Sequence, residues 1–551
     1  MASRGTTQAC ELCRRRKVKC DGLPTCTNCH LAEALCHYPP PKKRGPKTAQ
    51  CQDIAPTEPL NSPSWATEGS GRAQGAVPST GRNSYSPASY SMRTDSLLAS
   101  LEIQIESAVR VHLDLLAGLH AVAPSETPVS IANHCILLYT QYVFGTVPMC
   151  HEATLRATAQ RCFVLPSTID DLAENQTWIF QCLAAGNGNG NSDTKHIKAL
   201  RNLTLLTALC AAVAYVVPES LLPNKHLTAA LFLQAARNML SVYEDYDLEH
   251  PDSSSLTIRM FLSSAIQIAT GSRGIAFHIL NEACLIAMRM HLYDESAVQE
   301  QDPVEQTILR NAFWQLYVCD KTALVVKGRP VTIHEPLFES ELTLQIRSQR
   351  PVSLFDHGHG HSHNTDNHIN NAGVLEDCLL DGFHVIRRLW TMAARVIQAV
   401  ESTRERSWDA HPHPKDSSHR AAQLSEAYFE MVTLTHDPPL WTAHYNSARD
   451  SHSPADSGPG VWDKDLADIL QRQRTSYLIT LHSIKVFVLS AVIESNMTEI
   501  IGLSTEPLAL AMRQVEQAQD FLNVLESVPF LHLQAEGEQC IQGESVRHAL
   551  G

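Results

Sequence analysis

The sequence predicts a small metal-stabilised cluster domain of two short helices at the N-terminus, followed by a large all-α body. Three observations lead to this. Six of the 16 cysteines fall between Cys10 and Cys36, and the other ten are scattered singly. The first 50 residues hold 10 Lys and Arg against 3 Asp and Glu, a net of +7, while the rest hold 34 against 55, a net of −21. From Leu97 onward apolar residues recur at helical spacing, with no sustained period-2 alternation. At 551 residues and 44% hydrophobic composition, the chain has room for several domains and a sizeable core.

The first element, residues 1–50, is built on Cys10-x2-Cys13-x6-Cys20-x5-Cys26-x2-Cys29-x6-Cys36, two copies of C-x2-C-x6-C. Met1–Ala9 holds no apolar core of a secretory leader, so a reducing compartment and metal binding are expected rather than disulfides. Each half opens with two cysteines one helical turn apart, so both sulfurs face the same point. A tetrahedral Zn²⁺ needs four ligands, and three cysteines per half cannot fill two separate sites. Six thiolates supply eight contacts if two of them bridge, which points to one shared binuclear cluster. About 30 residues are too few for an independent apolar core, so the metal is expected to carry the folding energy. A RING or LIM module, the alternative zinc domain, usually has eight ligands and often histidine. A metallothionein-like store would lack the basic run Arg14-Arg15-Arg16-Lys17-Val18-Lys19.

With CRRRKVKCDG around it, this spacing resembles the fungal binuclear zinc-cluster family. The resemblance implies two Zn²⁺ per chain, bridged by Cys10 and Cys26, with Cys13, Cys20, Cys29 and Cys36 as terminal ligands. Pro24 matches the family's loop proline. Lys17 matches the main base-reading lysine, and double-stranded DNA with CGG-like sites is the implied partner. Lys and Arg can donate to guanine O6 and N7 in the major groove. Arg16 and Lys19 are expected at bases or nearby phosphate, and Arg14 and Arg15 on the phosphate backbone. Prolines 39–41 should hold the following chain extended. Lys42, Lys43, Arg44 and Lys47 are then expected to track phosphates and to serve as a nuclear import signal.

Residues 51–95 are rich in Ser, Pro, Thr, Gly and Ala and predict a flexible linker. Residues 96–121 predict an amphipathic helix, either a short dimerisation coil or an ordinary helix of the following domain. His112 interrupts its apolar stripe. Further helices are predicted over 131–143, 202–217, 229–243, 255–270, 276–292, 303–326, 464–494 and 507–526. The strongest apolar run, residues 203–217, stops at Pro218 after 15 residues, whereas a membrane span needs about 20. It predicts a buried core helix and no membrane partner.

The segments ILLYTQYVFGTVPMCHEATL (136–155) and RGIAFHILNEACLIAMRMHLYDE (273–295) resemble the fungal transcription factor regulatory domain, the middle homology region. So does Phe313-Trp-Gln-Leu-Tyr-Val-Cys-Asp320 followed by Lys327-Gly-Arg-Pro330, which matches that family's FW-x-x-Y-x-x-D…GRP signature. The resemblance implies an all-α regulatory domain over 130–345. A His-rich loop over 350–372 and a helical C-terminal part of the regulatory region over 373–551 follow. Trp314, Tyr317 and Val318 lie at helical spacing and are read as core, with Asp320 and Arg329 expected to pair as a buried brace. FLNVLESVPFLHLQAEGEQC (521–540) resembles the end of such regulators.

His357, His359, His361 and His363 form a tract that can bind metal, but a solvated loop is the plainer reading. His151-Glu152 and His334-Glu335 lack the second histidine of a zincin motif, and no nucleophile elbow or P-loop is present. No enzymatic activity is therefore expected. Residues 244–249 (EDYDLE) lack calcium-loop spacing, and Cys135, Cys150, Cys162, Cys182, Cys210, Cys284 and Cys319 read as small core residues. The expectation is a nuclear, DNA-binding regulator of RNA polymerase II transcription, working with co-regulators and as a homodimer or monomer. Secondary-metabolite gene clusters are the favoured target, with nutrient catabolism second. A corepressor scaffold that keeps the cluster only for folding is the alternative from another class.

Overall fold

In the computed structural model, the described residues are 10, 11, 13, 20, 24–31 and 36–37 near the N-terminus, then 106–163, 192–347, 352–355, 365–405, 414–436 and 464–536. Two compact units divide the chain, Met1–Ser84 and Tyr85–Gly551. The linker 51–95, the His-rich tract and Cys182 lie outside the described residues.

In the first unit, helix α1 covers Thr27–Leu31, and Glu11 and Cys13 have helical backbone. The second unit is helical, with no strand among its described residues. It opens with α2 (residues 106–122) and α3 (Pro128–Leu138), followed by a π-helical turn, Tyr139–Val143. Next come α4 (Glu152–Cys162), α5 (Ser192–Val216), α6 (Lys225–Glu249), α7 (Ser253–Thr270), α8 (Arg273–Arg289) and α9 (Ser296–Gln299). The series ends with α10 (Pro303–Lys327), α11 (Thr365–Glu405), α12 (Pro414–His436), α13 (Lys464–Glu494), α14 (Pro507–Ser527) and α15 (Phe530–Glu536).

Local chemistry sets several of these boundaries. Asp252 and Ser255 form a reciprocal capping box that starts α7, satisfying orphan amides at its first turn. Pro303 and Pro507 open α10 and α14, where a missing N–H costs nothing. The apolar stripe of α2 is buried in its own unit, with Ala108, Leu115, Leu116 and Leu119 in the core. His112 is buried beside them. Its Nε2 meets the Cys162 carbonyl at 2.8 Å, and burial pushes its pKa down to about 4. The helix expected over 131–143 instead widens to π geometry at Tyr139. The Tyr139 hydroxyl donates to the Val147 carbonyl at 2.7 Å and accepts from the Met149 amide at 3.2 Å, holding that turn against the loop behind it.

Other boundaries also differ from expectation. The helix expected over 202–217 begins earlier, at Ser192, and the one expected over 276–292 spans Arg273–Arg289. The helix expected over 229–243 runs on to Glu249 through a non-helical Tyr243. The loop placed over 350–372 gives way to helix at Thr365, because polar opening turns carry no apolar period to read. Within α11, Gly382 lets Gln473 of α13 approach. A Cβ there would lie 2.3 Å from the Gln473 amide oxygen. Gln473 Nε2 meanwhile donates to the Gly145 and Leu379 carbonyls, each at 2.6 Å.

Residues 197–216 and 467–494 are long and apolar enough to cross a membrane, at mean hydropathies of 1.6 and 1.7. The first is 72% buried, and Leu206, Leu209, Cys210 and Val213 belong to the helical core. In α10, Trp314 and Tyr317 are buried as core residues. The expected Asp320–Arg329 brace does not form. Gly328, at φ +56°, caps α10 and turns the chain back along it. The Thr332 and Ile333 amides thereby reach the Asp320 carboxylate at 2.7 and 3.2 Å. Arg329 lies over the Phe277 ring instead, 4.1 Å from its centroid.

The acidic run 244–249 contributes the most buried ion cluster among the described residues. Asp247, fully buried, pairs with Arg259 of α7 and, at 2.8 Å, with Arg201 of α5, and accepts from Ser255 Oγ at 2.7 Å. This locks α5, α6 and α7 together and fixes the register of α6 beyond its kink. Removing the carboxylate leaves two guanidinium groups buried without their shared counter-charge. Asp247→Ala is expected to lower unfolding stability by about 3–5 kcal/mol, read as a fall in the urea midpoint of the full chain. An unchanged midpoint would show that the cluster is not a stabilising clamp.

Candidate metal centre

The six cysteines converge as two equivalent halves. In each half the backbone amide of the first cysteine donates to the sulfur of the third. Cys10 N meets Cys20 Sγ at 3.5 Å, and Cys26 N meets Cys36 Sγ at 3.4 Å. The duplicated C-x2-C-x6-C spacing thus becomes duplicated backbone geometry. Glu11 N–H donates to the His37 carbonyl at 2.8 Å, tying the end of the second half to the start of the first.

Between the halves the sulfurs interleave. Cys10 Sγ lies 3.8 Å from Cys26 Sγ and 3.6 Å from Cys29 Sγ, and Cys13 Sγ lies 3.5 Å from Cys26 Sγ. Two four-sulfur groups result, Cys10, Cys13, Cys20, Cys26 and Cys10, Cys26, Cys29, Cys36, each with all its sulfurs within 4.8 Å of one another. Cys10 and Cys26 belong to both. A tetrahedral zinc with bonds of about 2.3 Å holds its sulfurs about 3.8 Å apart, so the observed separations suit thiolates gathered on metal. A disulfide needs about 2.05 Å, and all six cysteines are free.

Electrostatics favour a cation here. The Cys13 amide, donating to the Cys10 sulfur at 3.4 Å, draws the Cys10 thiol down to about 6. Burial pushes Cys13 up to about 12 and raises Cys26 and Cys29 as well. One sulfur ionises readily while its neighbours resist, chiefly because burial penalises the thiolate.

Sequence reasoning placed all six sulfurs together but missed these amide donors. The C-x2-C spacing carried a signal for the Cys13 amide on the Cys10 sulfur, because a helical turn aims the later amide at the earlier sulfur, but not for the amides that reach Cys20 and Cys36. The cations assigned to DNA, Arg14, Arg15, Arg16, Lys17, Lys19, Lys42, Lys43, Arg44 and Lys47, all lie outside the described residues. So do His357, His359, His361 and His363.

Residues 8–45 match the fungal Zn(2)-Cys(6) binuclear cluster domain. Over 53 residues the chain is 49% identical to the abscisic acid cluster transcription factor abl7 of Leptosphaeria maculans, covering 9% of each chain. Over 54 residues it is 48% identical to the C6 finger domain transcription factor nscR of Trichophyton verrucosum, covering 9% of this chain and 8% of that one. An uncharacterized transcriptional regulatory protein of Schizosaccharomyces pombe is 49% identical over 41 residues, 7% of this chain and 5% of its own. The chain therefore matches less than a tenth of the length of each of these three relatives. No solved structure matches it. The N-terminus is a zinc-binding Zn(2)-Cys(6) binuclear cluster domain, and its homologues are named as C6 transcription factors.

Metal binding must displace protons from the raised thiols, so zinc affinity should fall as pH falls. With the full chain held beside a colorimetric zinc chelator, zinc is expected to stay bound at about pH 7.5 and to be released by about pH 5. Retention independent of pH across that range would contradict thiolate ligation.

Proposed function

We propose that this protein is a nuclear, sequence-specific DNA-binding regulator of RNA polymerase II transcription. Two Zn²⁺ per chain, bridged by Cys10 and Cys26, would supply the folding energy of the N-terminal domain. The observation that carries this reading is the sharing of Cys10 and Cys26 between two four-sulfur groups. Two tetrahedral ions fit six cysteines in that way.

Cys13 and Cys20 fall in one of these groups, so both ends of the cationic run 14–19 are anchored at the cluster. On this reading Lys17 donates to guanine O6 and N7 of a CGG-like site in the major groove. Arg16 and Lys19 meet bases or nearby phosphate, and Arg14 and Arg15 hold the phosphate backbone. Lys42, Lys43, Arg44 and Lys47 extend the phosphate contacts and carry the import signal. The net +7 of the first 50 residues supports an electrostatic grip on DNA. The helical body over 130–345 would act as the regulatory domain. Likeness to a factor named for the abscisic acid cluster favours a secondary-metabolite gene cluster as the target.

Two outcomes are expected. Lys17→Ala should cost about 1–3 kcal/mol on a CGG duplex and relax base preference, whereas Arg14→Ala should weaken binding evenly across sequences. Fluorescence anisotropy of the full chain on matched and scrambled duplexes measures both, and an unchanged preference in Lys17→Ala would remove Lys17 as base reader. Cys26→Ser should release both zinc ions, while Cys36→Ser retains about one. Metal content per chain by native mass spectrometry checks this, and equal losses in the two variants would contradict bridging by Cys26.

A further inference from the structure

The helical body holds a partly open cavity of about 360 Å³ between the π-helical turn and helices α5, α7, α8, α10, α11 and α13. Its volume falls within the roughly 300–1,000 Å³ of small-molecule sites. The walls are mainly apolar, with Val213, Met260, Phe261, Ile386, Trp390 and Ile479 among them. Among the described residues, the charged ones lining it are Arg273 and Arg329, with no Asp, Glu or Lys. An apolar space with positive charge and no carboxylate of its own selects for an anion.

The two arginines differ in burial. Arg273 is exposed and has a partner of its own. Arg329 is half-buried, packed on Phe277, and makes no ion pair among the described residues. The carboxylate expected beside it, Asp320, is held by the Thr332 and Ile333 amides. A second polar group is also left over in the cavity. The amide oxygen of Gln315 is buried without a hydrogen-bond partner, while its nitrogen lies 3.7 Å from Cys319 Sγ. A buried unsatisfied acceptor is costly, and a ligand N–H or O–H would relieve it.

We propose that this cavity binds a small apolar organic acid, with its carboxylate on Arg329; a ligand that also carries a hydroxyl or N–H donor would satisfy Gln315 as well. One half-buried guanidinium matches a planar carboxylate, whose two oxygens accept in parallel from its fork. A phosphate dianion would leave one charge uncompensated on Arg329 alone, and the apolar walls would not solvate it. The apolar walls take the body of the molecule. The site lies wholly within residues 142–535 and does not depend on the proposed DNA binding.

Isothermal titration of the full chain with octanoate, and separately with the uncharged 1-octanol, tests this without DNA. Octanoate is expected to bind once per chain at sub-millimolar concentration. Arg329→Gln should weaken octanoate about tenfold or more while altering octanol little. Ser264→Phe, which places a ring into the cavity from α7, should abolish binding of both. Circular dichroism confirms that each variant keeps its helical fold. No octanoate binding at millimolar concentration to folded wild type overturns the proposal. So does octanoate affinity that Arg329→Gln leaves unchanged.

Discussion

Six sulfur atoms converging on one small volume is the constraint on which the N-terminal domain depends. Without a cation, packed thiols resist ionisation, as the raised pKa of Cys13 indicates. With one, the same crowding becomes a coordination shell. Among the described residues of this short segment, the buried hydrophobic cluster consists of the cysteines themselves. Fold and metal binding are therefore one equilibrium in this domain.

The larger unit rests on different physics. Its helices pack around one extended apolar core, and several of its buried charges pair across elements. Arg201 and Arg259 meet Asp247 from two further helices. Arg310 of α10, almost fully buried, meets Glu295 just before α9, and that carboxylate also accepts from the Gln345 amide at 2.9 Å. Such pairs contribute little net energy against an apolar substitute, but they specify which helices meet and in what register. The cavity interrupts this packing where Arg329 and Gln315 are left with unspent polar capacity.

The cysteine spacing made the metal cluster legible, because local geometry alone brings C-x2-C sulfurs to one side. Helices were legible wherever an apolar period ran unbroken, as in α7 and α10. Features set by distant partners were not. The π-turn at Tyr139 depends on Val147 and Met149, and the start of α11 lies in a polar stretch. Asp320 and Arg329 are close in sequence and opposite in charge, which favoured a pair. The backbone reversal at Gly328 supplied Asp320 with amides instead, a competition that residue types alone do not reveal. Asp247 looked like one more acid in EDYDLE until two arginines from other helices met it.

The central claim is that zinc, by gathering these sulfurs, shapes a basic surface that reads DNA. Its most direct test follows binding of the full chain to a CGG-containing duplex while zinc is stripped by a chelator and then restored. The account predicts that affinity disappears as the metal leaves and returns when zinc is added back. Binding that persists unchanged in fully metal-free protein would contradict it.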